Sequence, residues 1–126
     1  MGGNAMVKPT ALVVDDNKLN RMIHGKLLDV LGIKNRAVEN GEEAIEVHLS
    51  GEKFDLILMD RDMPVMNGIE ATKKLRAMGI KCMIAGISSH SIGPEKEEFM
   101  EAGLDDYHEK PLTVAKLLSL VSKIKN

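Results

Sequence analysis

The sequence predicts a doubly wound α/β domain, with five parallel strands in the order 2-1-3-4-5 and helices on both faces. Three observations lead there. Short apolar runs alternate with amphipathic segments along the whole 126-residue chain. One run, DLILM (55–59), is apolar without alternation, as expected of a strand covered on both faces. Glycine or proline marks most of the junctions, as in successive β–α units. Parallel strands need crossovers, and the handedness of crossovers with five units leaves the 2-1-3-4-5 order as the expectation.

Each element has its own signal. ALVV (11–14) reads as a short buried strand. From Lys18 to Leu31 a helix carries Ile23, Leu27, Leu28 and Leu31 at three- and four-residue spacing, and Gly32 closes it. A second strand is expected near 34–38 and a helix over Gly41–Leu49. After DLILM and the loop MPVMNG, a helix runs from Ile69 to Met78, where Gly79 stops it. CMIAGI (82–87) is the fourth strand. Pro94 suits the first position of a helix over 94–102, closed by Gly103. A short strand follows at about 105–109, and Thr113 caps a last helix over 114–125. Residues 1–8 are expected to be a flexible start, leaving 9–126 as one domain.

Composition narrows the function. Apolar residues make up 44% of the chain and aromatics only 2%, so aliphatic side chains and 9 methionines must fill the core. With 17 Lys+Arg against 19 Asp+Glu, no basic surplus points to nucleic acid, and no basic amphipathic stretch points to a membrane surface. No apolar run approaches the ~18 residues of a membrane span, and no signal-peptide core is present. Met6 stands where a myristoylation motif needs Ser or Thr. The single cysteine, Cys82, forms no internal disulfide and reads as a small buried hydrophobe. The expected location is the cytoplasm, with the nucleus as a second one.

The chemistry lies just past the strand ends. Asp15 and Asp16 follow ALVV, Asp60 follows DLILM, Ser88 follows MIAGI, and Lys110 precedes Pro111. An open parallel sheet places all of these along its carboxyl edge, where such sheets bind ligands. Three carboxylates in one cleft repel one another unless a cation joins them, and an all-oxygen donor set suits Mg²⁺. The plainer reading, that Asp16 or Asn17 only caps the following helix, leaves Asp60 and Lys110 unexplained. Asp60 is the candidate nucleophile, since a carboxylate aligned with a phosphoryl donor can form an acyl phosphate. Lys110 offers a point charge and Ser88 one hydrogen bond to phosphoryl oxygens. Pro111 stiffens the turn and permits a cis bond.

VVDDN (13–17), LILMDRDMPVMNG (56–68), AGISS (85–89) and DDYHEKP (105–111) together resemble the receiver domains of two-component and phosphorelay response regulators. The resemblance implies the flavodoxin- or CheY-like receiver fold. It implies that Asp60 is the phosphoacceptor, and that Mg²⁺ is held by Asp16, by Asp15 partly through water, by Asp60 and by the backbone carbonyl of Asp62. Ser88 resembles the switch hydroxyl, Lys110 the phosphoryl-bridging lysine, and Tyr107 the aromatic that turns inward on activation. MDRDMPVMNG and EFMEAGL…EKPLT look like the stand-alone plant regulators called type C. That resemblance implies a histidine-containing phosphotransfer protein as partner and a phosphorelay of the cytokinin-signalling kind. Such a protein is not a conventional enzyme: it catalyses its own Mg²⁺-dependent phosphorylation and dephosphorylation. A variant of this role drains phosphate from the partner, as a phosphohistidine phosphatase.

Several residues depart from the common pattern. Asp62 adds a carboxylate at the cleft mouth, and the adjacent Arg61 either screens it in part or stays solvated. Ser88 lacks a threonine's methyl group, which loosens the pocket available to Tyr107. The first helix carries a second apolar stripe, Leu19, Met22 and Val30, beside Gly25; this is the expected docking face for the phosphotransfer partner, on an otherwise monomeric protein. His24 is expected beside the first helix's core, His48 on a helix surface, His90 in the loop after Ser88 and His108 next to Tyr107. None has metal-ligand spacing, so zinc is not expected. Met59, Met63 and Met66 are expected to pack around the acceptor loop. Two rival classes remain. Asp60-Arg61-Asp62 mimics the D-x-D of haloacid-dehalogenase-like phosphatases, but those carry it after the first strand. A flavodoxin-like FMN site would need a phosphate loop where Asp15 and Asp16 repel anions.

Overall fold

A computed structural model describes residues 9–89 and 94–124. The elements are β1 (Thr10–Val14), α1 (Lys18–Val30), β2 (Lys34–Val38), α2 (Gly41–Leu49), β3 (Leu56–Asp60), α3 (Gly68–Ala77), β4 (Met83–Ser88), α4 (Pro94–Glu101), β5 (Asp106–Glu109) and α5 (Val114–Ser122). The strands form one parallel sheet in the order β2-β1-β3-β4-β5. All ten predicted elements are present, and several boundaries move by one to three residues. β3 and β4 each start and end one residue later, so Asp60 and Ser88 are the last residues of their strands rather than the first of their loops. Asp55, just before β3, accepts the Thr10 backbone N–H on its carboxylate at 2.8 Å. α4 ends at Glu101 and α5 at Ser122, short of the expected 102 and 125.

Polar residues fix where the helices begin. Asn17, Asn40, Asn67 and Thr113 accept the backbone N–H of Asn20, Glu43, Glu70 and Lys116 respectively. Each such cap is worth about 1 kcal/mol. Because Asn17 caps α1, the Asp16 side chain is left to other work.

Two apolar layers cover the sheet. Leu12, Val14, Ile57, Met59, Ile84 and Phe99 pack toward α2, α3 and α4. Val13, Leu28, Leu58, Ile87, Leu117 and Leu120 pack toward α1 and α5. Met59 is fully buried, and Met63 and Met66 pack against the first layer, as expected. Burial pushes the Cys82 thiol up to about 11, so it stays protonated and behaves as a small hydrophobe.

Two expectations need correction. His48 is not on a helix surface: its ring is buried, bonded through Nδ1 to the Ala44 carbonyl at 2.7 Å and edge-on to Phe54. Gly25 does not open a gap for an incoming helix: a Cβ there would point at Asn35 of β2, 3.4 Å from its Oδ1. The stripe beside it is nonetheless exposed, with Leu19 59%, Met22 47% and Val30 75% accessible. Residues 1–8 and His90 lie outside the described residues. Among the described residues no helix is long and apolar enough to cross a membrane.

Candidate functional site

β1 and β3 are neighbours in register, Val14 opposite Met59, so Asp15 and Asp60 leave the sheet side by side. Oxygens of Asp15, Asp16 and Asp60 lie within 4.8 Å of one another. Asp15 and Asp60 are buried, at 1% and 3% exposure, while Asp16 faces solvent. The ammonium of Lys110 reaches both buried carboxylates, 2.8 Å from Asp60 Oδ1 and 3.1 Å from Asp15 Oδ2. Ser88 ends β4 beside β3, fully buried, and its carbonyl accepts the Lys110 N–H at 2.8 Å. The Lys110–Pro111 peptide is cis.

Backbone contacts hold these groups in place. The Asn17 N–H donates to Asp15 Oδ1 at 2.9 Å, and Arg21 Nη1 donates to the Asp15 carbonyl at 2.9 Å. Arg61 N donates to the Ile87 carbonyl, tying the residue after Asp60 to β4. Gly68, at the start of α3, returns its N–H to the Arg61 carbonyl at 2.8 Å, and any Cβ there would overlap the Asp60 carbonyl oxygen. Between them Val65 adopts φ 71, with the Met66 N–H bonded to the Pro64 carbonyl at 2.7 Å. A β-branched residue in the left-handed region is strained, and such strain clusters at functional loops.

The charges do not balance. Burial pushes the Asp60 carboxyl up to about 6; the Lys110 bond pulls it down, and Asp15 pushes it up further. Burial also works against the Lys110 charge, but the bond to Asp60 and the nearby carboxylates outweigh it and raise its pKa. Three carboxylates with one ammonium therefore leave negative charge in a partly dry cleft. Their donors are all hard oxygens, so the residues present fit a small divalent cation such as Mg²⁺.

The remaining predicted residues surround this centre. Asp62 is exposed and paired with Arg61 Nη2 at 3.0 Å, so Arg61 does screen it. The Asp62 carboxylate is not part of the three-carboxylate group. Tyr107 on β5 is half-buried, edge-on to Phe99 at 6.1 Å, with Lys96 Nζ 5.5 Å over its ring. His108 Nε2 lies 3.3 Å from the Asp106 carboxylate. Two contributors were not anticipated. Arg21 carries no motif signal, because its role is a contact six residues back. His24, fully buried, senses both Asp15 and Lys110; burial lowers its pKa and keeps the ring neutral.

Comparisons with known proteins agree with this geometry. The chain is 61% identical over 117 residues to Two-component response regulator 24 of Arabidopsis thaliana, covering 93% of this chain and 84% of that one. Identity to the Arabidopsis regulator ARR22 is 46%, covering 90% and 81%. The resemblance to the small plant type-C regulators therefore stands. Against the sensor histidine kinase GacS of Pseudomonas protegens identity is 35%, but the match is only 13% of that kinase. Among solved structures, the receiver domain of sensor histidine kinase PA1611 from Pseudomonas aeruginosa PAO1, with a magnesium ion coordinated in its active-site cleft, superposes with TM-score 0.84. It is 28% identical and covers 94% of this chain and 98% of its own. With the response regulator receiver domain model matching residues 11–122, this chain belongs to the receiver-domain family of two-component response regulators.

Proposed function

We propose that the protein accepts a phosphoryl group on Asp60 from a phosphohistidine of a histidine-containing phosphotransfer protein, within a multistep plant phosphorelay of the cytokinin-signalling kind. The observation that carries this reading is the buried Asp60 carboxylate, shared through Lys110 with Asp15 and within reach of Asp16. Asp15, Asp16, Asp60 and the backbone carbonyl of Asp62 would hold Mg²⁺. When bound, that ion supplies positive charge against which a carboxylate and a phosphoryl group can approach.

In the transfer, an Asp60 oxygen forms the bond to phosphorus while the P–N bond to the partner's imidazole breaks. The departing imidazole nitrogen takes up a proton. Lys110 keeps the Asp60 carboxylate oriented before transfer and offers its ammonium to the phosphoryl oxygens afterwards. Ser88 donates one hydrogen bond to the phosphoryl group, and Tyr107 reports the new charge by moving inward. In hydrolysis, water attacks phosphorus, the bond to Asp60 breaks, and phosphate and the free carboxylate are released. The exposed stripe Leu19, Met22 and Val30 on α1 receives the partner. The protein acts as a monomer in the cytoplasm, with the nucleus as a second location.

The test is incubation with a phosphorylated phosphotransfer protein and Mg²⁺. Wild type should take up the phosphoryl group and Asp60→Asn should not; equal labelling of both would sink the reading. Following the phosphate further separates a stable phosphoprotein from a phosphate sink, in which transfer ends in free phosphate. Hydrolysis of small phosphate esters by the wild type would favour the haloacid-dehalogenase-like alternative instead, although here the D-x-D follows the third strand.

A further inference from the structure

Two side chains of α4 hold Tyr107. Lys96 and Phe99 stand three residues apart and so share one side of that helix. The Lys96 ammonium lies over the Tyr107 ring, 5.5 Å from its centroid, and Phe99 meets the same ring edge-on at 6.1 Å. Tyr107 is paired with Gly86 across the β4–β5 ladder. Phe99 and Leu104 fill the space that a side chain at Gly86 would need. A Cβ there would overlap Leu104 Cδ1 and stand 2.7 Å from Phe99 Cε2. Phe99 is the one described residue of α4 that is buried, and this notch locks it in place.

Of the two contacts, the one from Lys96 is displaceable. Lys96 is exposed and makes no ion pair among the described residues, although Glu95, Glu97 and Glu98 are exposed beside it in the chain. The aromatic face is thus the partner the structure gives its charge, through attraction to the ring quadrupole. We propose that Lys96 is a positioning residue for Tyr107: it retains the ring where it lies here, so inward movement must break the cation–π contact. The inference rests on the phosphoacceptor reading, in which Tyr107 moves when Asp60 carries a phosphoryl group. By linkage, what resists that movement weakens capture of the phosphoryl group by the same factor. Removing the Lys96 charge should therefore tighten the phosphorylated state. A plain loss of positive charge predicts the opposite, because the phosphoryl group is anionic.

The test measures binding of beryllofluoride, a stable mimic of a phosphoryl group on a carboxylate, to the full chain with Mg²⁺. Tyr107 is the only tyrosine and the chain has no tryptophan, so tyrosine fluorescence follows this ring alone. Lys96→Met, which keeps the length and loses the charge, should bind roughly two- to fivefold more tightly than wild type. Lys96→Arg keeps a cation and should match wild type. In a Tyr107→Leu background, followed by calorimetry, Lys96→Met should have no effect. Without ligand, the Lys96 methylene protons should resonate upfield in wild type and return to ordinary positions in Tyr107→Leu. The proposal is overturned if Lys96→Met binds equally or more weakly, if Lys96→Arg behaves like Lys96→Met, if the effect survives in Tyr107→Leu, or if the methylene protons are not displaced. Equal binding by wild type and Asp60→Asn would instead overturn the phosphoacceptor reading, and the methylene shifts would then decide the Lys96 contact alone.

Discussion

At the amino-terminal edge of the sheet, the Arg76 guanidinium donates to the carbonyls of Gly103, Ile80 and Cys82 and to the Asp105 carboxylate, all at 2.8–2.9 Å. Asp105 in turn accepts the Ile84 N–H at 2.9 Å. At the carboxyl edge, Lys110 is divided between two buried carboxylates while a third stands beside them. The first arrangement closes its hydrogen-bonding account and locks the ends of α3, β4 and β5 together. The second is left incomplete and favours whatever positive charge arrives. Stability and function are thus sorted onto opposite ends of the same five strands.

The largest expected effect is at the closed edge. Arg76→Ala removes four hydrogen bonds and takes this donor from the Gly103, Ile80 and Cys82 carbonyls and the cation from Asp105, which should cost about 2–4 kcal/mol in denaturant unfolding. Phosphoryl uptake per folded molecule should be unchanged. A loss below about 1 kcal/mol would break the contrast between the edges.

Asp60→Asn should do the reverse. Its folded pKa of about 6 lies above the ordinary carboxylate value of 3.8, so the folded state without metal binds more protons than the unfolded chain between those values. Stability of the wild type therefore falls as pH rises through that window, and the penalty is complete above about 6. Asn should stabilise the metal-free protein by about 1–3 kcal/mol at pH 7 and by nothing near pH 3.5. Thermal unfolding of both proteins across pH checks this, and adding Mg²⁺ should shrink the gap.

Gly68→Ala sharpens the comparison by moving the acceptor without changing a charge. The added methyl overlaps the Asp60 carbonyl, which should cost about 1–3 kcal/mol and slow phosphoryl uptake as well. Full uptake with only stability lost would show that the loop need not hold Asp60 tightly.

Much of the carboxyl edge was legible because its signals are local. Asp15, Asp16, Asp60 and Ser88 each follow an apolar run, and strand ends are where parallel sheets collect ligands. The helix starts were equally readable where Thr113 precedes a turn it can cap. What escaped depends on distant contacts. Nothing near Arg76 announces that carbonyls 4, 6 and 27 residues away will converge on it. Arg21 is hidden in the same way. His48 is different: Ala44, Val47 and His48 share one buried face of α2, so the three- and four-residue spacing carried the signal, and polarity obscured it.

Two smaller effects probe the function directly. Charging the α1 stripe with Met22→Glu should slow transfer from the phosphotransfer partner about tenfold while leaving Mg²⁺ affinity alone. Unaltered transfer kinetics would remove the docking face. Asp62→Asn frees Arg61 and changes the charge at the cleft mouth, so the lifetime of phospho-Asp60 should change several-fold in a phosphate-release assay.

Magnesium titration by calorimetry addresses the uncompensated cluster most directly. Wild type should take up one ion per chain, and Asp16→Asn should weaken uptake by roughly tenfold or more, since it removes the one carboxylate of the three that faces solvent. Absence of any saturable heat with the wild type, or identical isotherms for the two proteins, would contradict the account.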